Sequence, residues 1–390
     1  MKSRPPVTYV EIDLKALRHN LRELRRFSAR NRFELPTRPE TLAGKPQPHA
    51  ILAVVKAEAY GHGMEQVALA LDKAGVEFFG ASDIHEGVLL RQINIRKPVL
   101  LFESTLPEHI PLIVKHGLIP TVCTLDFARR LNAHARAQGR CVDVHVKVDT
   151  GMGRLGVWHE EAFEFIRLLQ AFKFIRITGL YSHFPAADTD RAFTRRQIDD
   201  VYRLVIRLDQ QGFVIPYIHA SNSVGLAGYR THVLNLSRPG LMLYGMYPHA
   251  GLKSRARLRP VMSIRSRIVF IKDIPAGQSI SYGRTFTAKR KIRVAVVPIG
   301  YHDGYFRALS NKADVLIGGR RCRVLGRVTM DQIMVDVSRV KAAKIGSPVV
   351  VMGRQGKACV TADELAKIAN TISYEIVCNL GNRLNRVYKG

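Results

Sequence analysis

The segment Ile51–Ser82, ILAVVKAEAYGHGMEQVALALDKAGVEFFGAS, reads as strand, helix, strand. Its opening ILAVV is wholly apolar, as in a strand covered on both faces, and VEFFGAS is a second such run. Between them GMEQVALALDKAG has helical period and ends on the glycine expected just past a helix. Consecutive strands joined by a crossover helix run parallel, so the segment is one β–α unit of an α/β fold. Lys56 breaks the pattern. It stands at the end of the apolar run, just before Gly61 and Gly63, where another Val or Ile would suit a buried strand end.

The same alternation recurs downstream. An amphipathic helix with Leu14, Leu17, Leu21 and Leu24 on one face is followed by strand candidates AILAVVKA, VEFFGAS, KPVLLFES, LIPTVC, CVDVHVKVD, FIRITGLYSHF, PYIHAS and VLNLSRPG. Helical stretches such as TLDFARRLNAHARAQG and TRRQIDDVYRLVIRLDQQG lie between them. Eight β–α units in this length predict a closed (β/α)8 TIM-like barrel ending near Tyr247. Beyond residue 253 the rhythm changes to short strands separated by Gly and Pro turns, with one helix at TADELAKIANTIS. The expected organisation is therefore a barrel domain over 1–252 and a mainly β domain over 253–390. The stretch from Arg30 to His49, with Pro36, Pro39, Pro46 and Pro48, reads as a long surface loop.

Composition narrows the function classes. At 390 residues and 46% hydrophobic content the chain has ample material for two or three cores. No apolar h-region follows the basic start and no apolar run is long enough to span a bilayer, so a cytoplasmic, non-membrane protein is expected. Five scattered cysteines without a C-x-x-C pair predict free thiols and argue against a zinc knuckle. The net charge of +28 raises nucleic acid as a partner, but arginines are dispersed along the whole chain without a tail or RNA-recognition signature. The expectation is no specific nucleic-acid binding.

A barrel carries its chemistry at the C-terminal strand ends, and Lys56 lies at such an end. A lysine flanked by apolar residues there is a candidate Schiff-base former; the bland alternative is a snorkelling surface charge. Other strand ends supply His183, then Asn222 and Ser223, then RPGL from Arg238 to Leu241. Gly240 lets backbone N–H groups approach an oxyanion, and loops after the seventh and eighth strands are the usual barrel phosphate site. A phosphate-bearing cofactor beside a lysine suggests pyridoxal 5′-phosphate.

The motifs AVVKAEAYGHG, VKVDTGMGRLG, YSHF, SNS, RPGLMLYG, SYGRTF, PIGYHDGY and GRVTMDQIMVD, in that order from about Tyr9 to Tyr388, resemble the alanine racemase family. The resemblance implies a pyridoxal-phosphate isomerase that works as a homodimer with shared active sites and takes a small amino acid. It makes Lys56 the cofactor-bearing lysine and one catalytic base, and Tyr282, from the partner chain, the opposing base. Tyr60, Ser223, the backbone of Gly240 and Leu241, and Tyr388 match phosphate ligands; Asn222 belongs to the same SNS motif. Arg154 resembles the arginine at the cofactor's phenolic oxygen, and Lys147 a lysine that is carbamylated in some members and holds that arginine. Arg238 resembles the partner of the pyridine nitrogen; His183 lies beside it, and His219 could support it. Tyr301 resembles a tyrosine that narrows the entrance, and Met330 with Asp331 the segment that meets the substrate carboxylate. Glu58, Thr329 and Leu241 depart from the family's usual residues. A racemase acting on serine or lysine and a noncatalytic pyridoxal-phosphate protein remain as alternatives.

Overall fold

The computed structural model describes residues 6–30, 49–229, 231 and 233–390. Most of the proline-rich stretch from Arg30 to His49, expected as a surface loop, lies outside the described residues. The chain divides into two compact units, one of Leu17–Ala59 with Met64–Arg259, the other of Met1–Ala16, Tyr60–Gly63 and Pro260–Gly390.

Among the described residues the first unit has eight parallel strands in its closed sheet, Ala50–Val54, Phe78–Ala81, Val99–Leu101, Thr121–Val122, Val142–Asp149, Ile175–Tyr181, Tyr217–His219 and Leu236–Ser237, with the short Val157–Trp158 added beside the fifth. The eight are called the first to eighth barrel strands below. Leu236 and Ser237 pair with Ala50 and Ile51, so the eighth strand returns to the first. The third and fourth strands meet through a parallel bridge between Leu100 and Ile119, and the seventh and eighth through the Asn235 N–H bond to Ile218 O at 3.0 Å. The sheet therefore has no free edge. All eight predicted strands are present, and the first and second are buried along their whole length, as their unbroken apolar runs require.

Helices alternate with these strands. Leu125–Ala137 starts on a Thr124 cap that accepts the Phe127 N–H, and Arg191–Gln210 on an Asp190 cap that accepts the Phe193 N–H. The helix Leu14–Arg30 buries Leu17, Leu21 and Leu24. From its inner face the fully buried Asn20 donates to Leu243 O at 3.0 Å and Arg259 O at 2.8 Å and accepts the Arg259 N–H at 2.8 Å. It thereby satisfies backbone groups that no strand or helix engages.

The second unit is mainly β. Its principal sheet runs Phe270–Ile274, Ile292–Val297, Ile333–Asp336, Arg320–Leu325, Asp314–Ile317, Pro348–Gln355, Met262–Arg267, Tyr9–Asp13 and Arg386–Lys389 in spatial order. Ile274, Ile280, Ala288, Ile292, Val294 and Leu325 form a core cluster beneath it. The expected single cut between 252 and 253 differs from this division. Tyr9–Asp13 pairs antiparallel with Met262–Arg267 and parallel with Arg386–Lys389, burying Val10 and Ile12, so the start of the chain belongs with its end. Among the described residues no helix is long and apolar enough to cross a membrane, and all five cysteines are free.

Replacing Asn20 by Ala removes three backbone bonds, one of them, to Leu243 O, buried. We expect a loss of about 2–4 kcal/mol in unfolding free energy, read by urea denaturation; an unchanged midpoint would show that Asn20 is dispensable.

Candidate active site

Lys56 follows the first barrel strand, and the chain then does something its residues disfavour. Ala57, Glu58, Ala59 and Tyr60 all have φ between 52° and 55°, and Gly61 has 76°: a turn of left-handed helix. Each non-glycine residue there costs about 1–2 kcal/mol. The turn is held by the Ala59 N–H bond to Val55 O at 2.8 Å and the Met64 N–H bond to Glu58 Oε2 at 3.2 Å. Glu86 adds a third tie, its Oε1 accepting the Ala57 N–H at 2.7 Å while Oε2 accepts the Ser82 N–H at 2.6 Å. Burial raises the Glu86 carboxyl above its ordinary range despite those two bonds. Strain of this kind persists only where surrounding bonds over-determine it, and it collects at functional sites. Here it fixes how the backbone leaves Lys56.

The fifth strand should be apolar on both faces, yet VDVHVKVD places His145, Lys147 and Asp149 on one parity, all three buried. Lys147 Nζ sits 4.4 Å from the centre of the Tyr181 ring. Burial, with the Arg238 and Arg154 charges, holds its ammonium well below the usual lysine range, and Asp149 opposes this only in part. Asp149 Oδ1 accepts the N–H groups of Gly151 and Met152, each at 2.8 Å, and of Gly153 at 3.2 Å. Burial works against its charge, but those bonds and Lys147 bring its carboxyl below the ordinary range. One carboxylate thus shapes the loop that presents the exposed Arg154.

Arg238, after the eighth strand, is buried. Its Nη2 donates to Ser182 O at 2.8 Å and Ala220 O at 3.0 Å and lies 3.3 Å from His183 Nδ1. Its Nη1 lies 2.7 Å from His219 Nδ1, and His219 Nε2 lies 2.9 Å from His145 Nδ1. A guanidinium only donates, so His219 accepts on Nδ1 and passes its own N–H to His145. Burial and the Arg238 charge depress the imidazoles, to about 3 for His145, about 2 for His183 and well below the ordinary value for His219. Burial also lowers Arg238 itself, to about 10. Tyr181 stacks on His219 at 4.8 Å, and its hydroxyl meets Thr121 Oγ1 at 2.5 Å, with burial pushing the phenol up to about 12. The unit therefore buries one guanidinium, Arg238, and a lysine, Lys147, whose charged form burial disfavours, with Asp149 as the acid beside Lys147. The cost of that arrangement falls when an anionic ligand is present.

At the other side of the rim Asn222 caps the short helix Ser223–Gly228, accepting the Gly225 N–H at 2.9 Å. Ser223 Oγ accepts N–H groups from Gly240 and Met242, each at 3.3 Å, which gathers the donors of the RPGL turn around one hydroxyl. Ser223, Arg238, Gly240 and Leu241 are all buried. The barrel unit so brings together Lys56, Lys147, Arg154, His183, Asn222, Ser223, Arg238, Gly240 and Leu241 at its C-terminal strand ends and the loops that follow them.

The remaining predicted residues belong to the β unit. Tyr60 packs on Tyr374 with ring centres 5.8 Å apart, and burial raises its phenol above the ordinary range. Gly63, with φ of 90°, has the Tyr388 hydroxyl 1.9 Å from where a Cβ would stand, so only glycine fits. Tyr282 heads a turn that starts at Ser281, itself at φ of 65°, and is 73% exposed. Tyr301 and Met330 are also exposed, and Asp331 is bonded to Arg383.

The model of the alanine racemase N-terminal domain matches residues 40–248, and that of the alanine racemase C-terminal domain residues 261–388. The alanine racemase of Geobacter sulfurreducens is 40% identical over 394 residues, covering 100% of this chain and 98% of its own. That of Halothermothrix orenii is 38% identical over 383 residues, covering 98% and 97%. A solved alanine racemase from Clostridium difficile 630 superposes with a TM-score of 0.89 at 35% identity, covering 99% and 97%. The chain belongs to the alanine racemase family. Within that family's pattern two departures acquire a local reason here: Thr329 Oγ1 closes its turn by donating to Gln332 O at 2.8 Å and accepting the Gln332 N–H at 3.1 Å, and Glu58 caps Met64.

Sequence reasoning missed His145, Tyr181, Asp149 and Glu86. The polar parity inside CVDVHVKVD was the available signal for His145 and Asp149; Tyr181 and Glu86 had none. The buried histidines set a pH dependence. Their folded values lie below the unfolded value near 6.5, so the unfolded chain takes up protons first. Their contribution is complete above about pH 6.5 and is lost as pH falls toward the folded values. Three such groups give a slope of up to about 4 kcal/mol per pH unit below that point. Calorimetry of the ligand-free protein between pH 7 and 5 checks this, and flat stability across that range contradicts it.

Proposed function

We propose that the protein interconverts L- and D-alanine with pyridoxal 5′-phosphate held on Lys56. The observation that carries this reading is the buried Arg238 guanidinium, bonded to carbonyls and an imidazole but to no carboxylate among the described residues, which calls for an anion beside a lysine at a barrel strand end. When bound, the cofactor supplies an electron sink that acidifies the Cα–H bond of the attached amino acid. The residues that would hold it are Arg154, the Ser223, Gly240 and Leu241 donors with Asn222 as cap, and Tyr60 and Tyr388 as phosphate ligands. Arg238 already commits Nη2 and one Nη1 hydrogen to the protein, leaving Nε–H and one Nη1–H as donors. A group with no acceptor leaves a ring nitrogen unprotonated, which limits electron withdrawal and favours return of the proton to Cα.

Inversion needs a proton carrier on each face of Cα. Lys56 serves one face. For the other we assign Tyr282 of the partner subunit in a homodimer, with the partner subunit's Tyr301 and Met330–Asp331 narrowing the entrance and meeting the substrate carboxylate. Supporting this, Tyr282 is 73% exposed on its own unit, with Met330 and Ile372 also exposed. His183 and Arg238 keep neutral and positive groups beside the reacting centre. The five free cysteines suit a reducing, cytoplasmic setting. Burial and the neighbouring cations favour the neutral amine of Lys147, the form that takes up carbon dioxide, so carbamylation is part of the same reading.

Borohydride reduction of the yellow holoenzyme should fix the cofactor on the peptide containing Lys56; label elsewhere removes the assignment. Tyr282→Phe should slow racemisation about 10²–10⁴-fold, equally in both directions because the overall equilibrium is unchanged. In heavy water it should lose α-proton exchange from L-alanine while keeping exchange from D-alanine. Equal loss of both exchanges contradicts the facial assignment.

A further inference from the structure

One guanidinium ties together the segments that carry Tyr301, Met330 and Asp331. Arg383 Nε and Nη2 bond Oδ1 and Oδ2 of Asp303, each at 2.8 Å, and Nη1 bonds Asp331 Oδ1 at 2.6 Å. The two carboxylates differ in kind. Asp303 is buried, and its Oδ2 also accepts the Gly300 N–H at 2.9 Å, so it belongs to the frame. The Asp331 side chain is 54% exposed, next to the exposed Met330. The frame is rigid: Tyr301 N–H donates to Thr329 O at 3.0 Å and His302 N–H to Met330 O at 3.1 Å. A Cβ on Gly300 would lie 2.2 Å from Met330 O, which is why the two segments can close on each other only through glycine.

Asp331 then poses an electrostatic problem. A carboxylate at the place that receives the substrate's carboxylate repels it, and like charges in juxtaposition are costly. We infer that Arg383 is a positioning residue that neutralises Asp331, so that this segment can accept an amino acid's carboxylate; the inference rests on the substrate-facing role proposed above for Met330 and Asp331. Arg383 spends its Nε–H and one hydrogen each of Nη1 and Nη2 on the two carboxylates, and Asp303 holds the fork in place. A bidentate guanidinium is needed: a lysine carries the charge but cannot span both carboxylates in one plane.

The test uses holoenzyme and steady-state kinetics in both directions, with acetate as an inhibitor that carries only the carboxylate. Arg383→Gln should raise KM for both enantiomers about tenfold with kcat within about threefold, and the acetate inhibition constant should rise in parallel. Adding Asp331→Asn to that variant should recover most of both losses, because the repelling charge is gone. A purely architectural role would instead lower thermal stability and kcat, and removal of a charge would not rescue it. Unchanged KM and acetate affinity in Arg383→Gln, or a double variant that keeps the raised values, overturns the inference. Should the Gln variant fail to accumulate, Arg383→Lys decides. A KM rise that shrinks with added salt supports charge neutralisation, and a rise independent of salt overturns it. Failure of the underlying reading shows differently, as wild-type protein without alanine turnover or as acetate that does not compete with alanine.

Discussion

A guanidinium buried without a carboxylate bonded to it, among the described residues, is the constraint from which the barrel site follows. Arg238 needs acceptors, and it finds the carbonyls of Ser182 and Ala220 and the unprotonated nitrogen of His219. That choice orders the rest. His219 must carry its proton on the other nitrogen, His145 must receive it, and both rings stay neutral because a second and third buried cation would be prohibitive. Tyr181 covers His219 and closes its own hydroxyl on Thr121, which in turn donates to Leu101 O. The chain of contacts runs from the third to the eighth barrel strand, and each member is satisfied only if the others keep their geometry.

The second feature of the barrel unit is strain. A left-handed turn of ordinary residues after Lys56 is expensive; Glu86 offsets it by accepting the Ala57 N–H, and Glu58, within the turn, ties it to the Met64 N–H that follows. A carboxylate that spends both oxygens on backbone N–H groups is poorly placed for surface solubility, so Glu86 has an architectural task. The β unit solves a related problem with Asp303, whose buried carboxylate joins Gly300 N–H and Arg383 and so stiffens an exposed tip. In both units a single acid converts loops into fixed platforms. Preorganised platforms are what a proton-transfer site requires, since groups must already stand where charge develops.

Much of this was legible in the residues. The first two barrel strands were visible because a strand buried on both faces is apolar along its length, the others as short β-rich runs, and the helices between them carry caps and terminal glycines. Lys56, Ser223, Arg238 and Gly240 stood out as polar or small residues at strand ends. The polar parity of His145, Lys147 and Asp149 was visible too, but not what it was for. The left-handed turn was hidden, because alanine and glutamate favour the right-handed helix and only tertiary hydrogen bonds reverse that preference.

The sequence by itself determined the β–α rhythm, the change to short β segments after residue 253, and the residue types at the strand ends, because periodicity and propensity act over a few neighbours. Only the tertiary structure decided that Tyr9–Asp13 closes a sheet with Met262–Arg267 and Arg386–Lys389. It alone decided that His219 links Arg238 to His145, and that Arg383 joins Asp303 to Asp331. These are long-range pairings, and their partners are selected by burial and hydrogen-bond satisfaction across the fold, which no local stretch of sequence encodes.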